Sequence, residues 1–177
     1  MKALFALVLL SAVVGPVFCQ ERVEDLVHTR TGTQNEGQTY PAVGPPFAMT
    51  QWTPQTRAGE TKAIAPYYYT DKRIQGIRAT HFLSGSAVPD YGTITLMPGM
   101  GPLKTGATDR SSSFEHTSEL ATPYVYRVEL PDAHTSASVA GTTRAGILRF
   151  AFTQDSDDAW IVLENNTINS QFGFLHG

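Results

Sequence analysis

In the stretch GIRATHFLSGSAVPDYGTITLMP, Gly76 to Pro98, a histidine, two small-residue turns and an aspartate crowd against an alternating apolar strand. His81 can donate to or accept from a ligand hydroxyl near neutral pH. It can equally satisfy backbone groups in a tight loop. Ser84, Gly85 and Ser86 are small enough to let the backbone approach a ligand or a neighbouring domain closely. Asp90 can contact a ligand or a neighbouring domain, or cap the Tyr91-Gly92 turn through backbone N–H groups. Trp52, in TQWTPQT, follows an apolar run and precedes a proline turn. Its indole can stack on the C–H face of a sugar ring, or fill a core or interdomain contact.

Other chemistry finds less support. Asp155, Asp157 and Asp158 in QDSDDAW lack the Gly and Glu that would continue a calcium-binding EF-hand loop, so a solvated hairpin turn is expected there. The five histidines, His28, His81, His116, His134 and His176, contain no HExxH or close metal-ligand pair, and no metal site is expected. No GxSxG elbow is present. Arg144 suits a structural ion pair as well as a contact, and Trp160, inside AWIVLEN, reads as core. Asn165-Asn166-Thr167 is a sequon, making Asn165 a glycan acceptor in a eukaryotic secretory pathway.

The elements that must position these groups are mostly strands. YVYRVEL puts Tyr124, Tyr126, Val128 and Leu130 on one face and Arg127 and Glu129 on the other; GILRFAF (146–152) and AWIVLEN (159–165) alternate similarly. FAMTQWT, from Phe47, and GTITLMP, from Gly92, add two more. Proline, glycine and aspartate turns separate them. The best helical candidate, 109–120, has poor apolar spacing, and 20–44 reads as polar and extended. An all-β antiparallel β-sandwich follows.

Residues 1–19 have a basic start, an apolar stretch from Ala3 to Val14 and a small-residue end, the layout of a secretory signal peptide. The apolar run falls short of the ~20 residues of a membrane span, so export is expected rather than anchoring. Residues 20–177 then form one domain, secreted, or periplasmic in a bacterium. Cys19 is the only cysteine. The mature domain therefore has no disulfide to staple it. A net charge of −3 with scattered Lys and Arg argues against nucleic acid or an anionic membrane as partner, and favours neutral ligands.

Four segments together resemble the N-terminal β-sandwich of the calcium-dependent exo-α-mannosidases of glycoside hydrolase family 92. The first loop resembles (S/G)xxHxxSGSxxxDYGxxxxMP. GQTYPAVGPPFAMTQWTPQTR, from Gly37, is similar to GNTxPxxxxPFGMxxxxPxT through Pro41, Pro46, Phe47, Met49, Pro54 and Thr56. SFEHTSELATPYVYRVEL, from Ser113, resembles FSHxxExAxPxYYxVxL, and TTRAGILRFAF resembles TTRAGxxRxxF. Their order is preserved across roughly 24–164.

The resemblance implies a supersandwich-like domain that supplies a wall of an α-mannoside pocket, with Trp52, His81, Ser84 and Asp90 as substrate-binding candidates. It also implies a partner, a catalytic (α/α)6 barrel that holds the acid, the base and most ligands of a calcium ion. Inverting hydrolysis needs two carboxylates about 6.5–9.5 Å apart. No such pair carries over here, so no catalytic residue or cofactor is assigned to this chain, which is expected to be inert alone. The final NNTINSQFGFLHG departs from the family's continuation and points to a truncated sandwich. A stand-alone carbohydrate-binding module is the alternative from a different functional class.

Overall fold

The computed structural model describes residues 22–35, 37–57, 65–80 and 94–165. Two four-stranded antiparallel sheets dominate it. The first has the order β1 (Gln51–Gln55), β3 (Gly76–Thr80), β4 (Ile94–Met100), β10 (Ala159–Asn165). The second runs β6 (Leu120–Ala121), β7 (Tyr126–Leu130), β8 (Thr135–Gly141), β9 (Gly146–Phe152). A two-residue pair, β2 (Arg73–Ile74) with β5 (Ser112–Ser113), bridges them locally. Among the described residues, no helix is long and apolar enough to cross a membrane.

Alternation explains the packing. In β7, Tyr126, Val128 and Leu130 are buried while Arg127 and Glu129 are exposed, the pattern of a sheet with one wet face. Their cross-strand partners Val139, Ala137 and Thr135 complete the inner face. These meet Trp52, Ile77 and Ala79 of the first sheet in one apolar cluster. The first sheet is covered on both faces near its centre: Thr53, Gln55, Thr95 and Met97 on its far side are also fully buried. Burying these apolar side chains contributes roughly 1.5–3 kcal/mol for each large one.

The strands over 146–152 and 159–165 fall where the sequence predicts, but several expectations need correction. Phe47 precedes β1 and is 95% exposed, because Pro45 and Pro46 hold that segment in turns instead of a ladder. Tyr124 lies outside β7. The 109–120 candidate is one helical turn, Ala107–Arg110, followed by the strand pair and a 3-10 turn, His116–Ser118. The polar 20–44 segment is not simply extended: it holds a 3-10 turn, Val23–Leu26, and Val43 exchanges both backbone hydrogen bonds with Trp52. Residues 153–158 join β9 to β10, which lie in different sheets, so the aspartate-rich turn is a crossover and not a hairpin.

Candidate functional site

At one end of the first sheet the described strands β3 and β4 stop on either side of the candidate segment 81–93. Gln51 pairs with Thr80, Ala79 with Ile94, and Ile94 with Asn165. The end of β3 and the beginning of β4, which residues 81–93 join in sequence, therefore lie at this rim with the start of β1 and the end of β10. His81, Ser84 and Asp90 belong to that segment and lie outside the described residues. Asn165, the candidate glycan acceptor, stands opposite Ile94 at the same end. The Tyr40 hydroxyl donates to Gln51 Oε1 at 2.9 Å, tying the preceding segment to this end.

Trp52 sits one residue in from the rim but points between the sheets. It is 7% exposed. A Cβ built on Gly146 would fall 2.1 Å from its Nε1 and 2.2 Å from Cε2, and one on Gly141 would lie 3.3 Å from Cδ1. Glycine at 146 is thus what lets the indole lie against the start of β9, which gives the TTRAG segment a packing role. Of the two readings the sequence leaves open for Trp52, these contacts carry the core one. Its Nε1–H has no acceptor among the described residues.

Exposed apolar groups near this end include two from the segment 46–49. Phe47 is 95% and Met49 57% exposed. Met49 N–H donates to the Thr143 carbonyl at 2.8 Å, holding the segment against the β8–β9 hairpin. Arg144, at the hairpin tip, is exposed and makes no ion pair among the described residues.

A buried cluster that sequence reasoning missed lies in the SFEHTSELATPYVYRVEL segment. The Glu119 carboxylate has no exposed surface. Its Oε1 accepts from the Tyr126 hydroxyl at 2.6 Å; its Oε2 accepts from the Tyr67 hydroxyl at 3.1 Å and from Arg30 at 3.3 Å, and lies 2.6 Å from His116 Nδ1. The His116 ring stacks on Tyr69 at 3.9 Å, meets the Phe114 edge at 5.1 Å, and places Nε2 2.7 Å from the Tyr69 carbonyl. Burial, reinforced by the neighbouring Glu119 charge, pushes both the Tyr126 and Tyr67 phenols well above the ordinary tyrosine range. The cluster ties the arm around Arg30 and the 67–69 segment to β7. Spacing offered one signal, since Phe114, His116, Glu119 and Tyr126 are all matched positions of a single segment.

Trp160 differs from the core residue expected. It is the second residue of β10, half-buried, lying across its register partner Gly99, and its Nε1–H donates to the Gly101 carbonyl at 2.9 Å. Gly99 lies five residues along β4 from Ile94, so Trp160 is about 17 Å from the rim at ~3.4 Å per residue. Among the described residues, no three His, Cys, Asp or Glu side chains are grouped to hold a metal.

The comparisons agree with the geometry. The sequence matches the family model described as glycosyl hydrolase family 92 N-terminal domain over residues 26–174. No curated protein matches significantly. Among solved structures, the chain resembles the family GH92 α-mannosidase BT3965 from Bacteroides thetaiotaomicron at 33% identity and TM-score 0.72, over 81% of this chain and 20% of that one. It resembles the GH92 inverting mannosidase BT2199 from Bacteroides thetaiotaomicron VPI-5482 at 33% identity and TM-score 0.63, over 75% and 18%. The GH92 family glycosyl hydrolase ccman5 follows at 26% identity and TM-score 0.58, over 73% and 19%. The chain thus spans about a fifth of the length of the mannosidases it matches. With four motif segments, two facing antiparallel sheets and a family match across most of its residues, this chain belongs to the glycosyl hydrolase family 92 N-terminal domain.

Proposed function

We propose that this chain acts as the N-terminal sandwich of a secreted α-mannosidase, lining one wall of an α-mannoside pocket and seating a catalytic barrel. The observation that carries the reading is the exposure of Phe47 and Met49, two matched positions left bare at the loop-bearing end. A large solvent-facing phenylalanine held beside a fixed hairpin suits a docking contact. In this reading His81, Ser84 and Asp90 reach the substrate from the rim loop, and Trp52 seats the rim from beneath. Calcium, where a relative uses it, is held by the partner barrel. Asn165 carries a glycan in a eukaryotic host, checked by the loss of a glycosidase-sensitive mass shift in Asn165→Gln.

The test is a fusion of this chain to a family barrel. With the reading correct, the wild-type fusion hydrolyses an aryl α-mannoside, the isolated chain does not, and Phe47→Asp/Met49→Asp lowers kcat/KM at least about tenfold at equal folded protein. His81→Ala removes one neutral contact and costs about 2- to 12-fold. A Phe47→Asp/Met49→Asp fusion within twofold of wild type refutes the docking role.

A further inference from the structure

At the end of the first sheet away from the rim loop, a recess of about 170 Å³ opens beside Trp160. Besides the indole, Arg73, Lys104, Asp109, Ser111 and Asp132 line it. We propose that it binds a single neutral sugar ring.

Charge balance decides the ligand class. Arg110, whose side chain is 1% exposed, pairs with Glu164 and donates to the Gln75 and Thr105 carbonyls at 3.2 and 2.6 Å. Arg73 pairs with Asp132 at 3.0 Å and donates to Ser111 Oγ at 2.8 Å. Asp132 in turn accepts the Ser113 N–H at 2.9 Å. Both guanidinium groups are thus matched, and the recess holds no surplus cation to draw an anion. Lys104 and Asp109 are left, of opposite charge, each exposed and with no hydrogen bond or ion pair among the described residues.

These two groups and the Trp160 ring suit a pyranose. The indole N–H is already spent on Gly101, so Trp160 offers apolar ring surface rather than a donor. Asp109 accepts from ring hydroxyls and Lys104 donates to them. The ion-paired walls keep the recess open without ligand. Its volume, below the ~300 Å³ at which drug-sized pockets begin, admits one ring and not a chain. The site needs only this chain, so its success or failure leaves the barrel-docking reading where it stands.

The test is a two-dimensional NMR titration of the full chain with methyl α-mannopyranoside, methyl α-glucopyranoside and methyl α-galactopyranoside, with adenosine as a flat aromatic control. The two indole N–H signals separate Trp160 from buried Trp52. Saturable movement of the Trp160 signal by at least one pyranoside, with Trp52 unmoved, is expected. Asp109→Asn, which breaks no described contact, weakens that binding about three- to tenfold, and Trp160→Phe weakens it by a similar factor while keeping an apolar ring over Gly99. No shift at Trp160 with any pyranoside overturns the proposal. So does binding unchanged in Asp109→Asn, or a response to adenosine alone.

Discussion

Glu119→Gln is the sharpest test of what holds the second sheet to the segments around it. The native carboxylate accepts from Tyr126, Tyr67 and Arg30, lies beside His116, and has no exposed surface. The amide is nearly isosteric, yet it has one acceptor oxygen and turns an NH2 toward groups that donate. It also leaves Arg30 without its counter-charge. Breaking a buried pair by removing one partner costs about 3–5 kcal/mol, because the remaining group keeps its desolvation penalty. The outer part of that range is tempered here by Arg30, whose side chain is 36% exposed and can rehydrate. For a chain of this length each kcal/mol lowers Tm by about 2–4 °C, so a fall of roughly 6–16 °C is expected for 3–4 kcal/mol. Urea unfolding followed by circular dichroism at neutral pH measures the same loss independently of heating. A double-mutant cycle with Tyr126→Phe should give coupling of at least about 1 kcal/mol, since the two groups share one bond. A Glu119→Gln loss below about 1 kcal/mol, or additivity with Tyr126→Phe, refutes the cluster as a structural tie.

Two further predictions follow from the packing. Gly146→Ala should destabilise by about 1–3 kcal/mol, because its Cβ would fall 2.1 Å from the fixed Trp52 indole, and Trp52→Phe in the same chain should recover part of that loss; equal effects in the two backgrounds would contradict the wedge. In alkaline titration followed at 295 nm, Tyr67 and Tyr126 should stay protonated well above the ordinary tyrosine range, then ionise in one cooperative step with unfolding. Their raised folded pKa means this stabilisation is complete below the unfolded value near 10 and is lost as pH rises toward the folded one. All seven tyrosines ionising in one smooth curve with intact secondary structure would refute it.

The sheets were legible wherever large apolar residues alternate, as in 146–152 and 159–165. β8, TSASVAG, was not, although it is a central strand, because it fills its inner face with Thr135, Ala137 and Val139. Small side chains give little periodic signal, and the neighbouring Tyr126 and Leu148 supply the bulk across the ladder. The missed β3, GIRAT, is short and carries Arg78 at its centre. For the site, His81, Ser84 and Asp90 lie outside the described residues, and sequence gave Trp52 two faces; the position of Gly146 across the sandwich shows that the indole packs between the sheets. Glu119 looked like any helical-turn carboxylate, since its partners at 30, 67 and 126 are brought together by tertiary packing alone.

The direction in which β10 runs has a consequence for any polypeptide that continues past it. Its ladder with β4 begins at Ala159 opposite Met100 and finishes at Asn165 opposite Ile94, so the strand ends at the rim where β4 begins. In the proposed reading, a barrel that follows in the same chain would be tethered at the rim it covers. A short flexible tether would hold such a partner at an effective concentration in the millimolar range. Phe47 and Met49 then need to supply orientation more than affinity, and a contact too weak to hold two separate proteins together suffices within one chain.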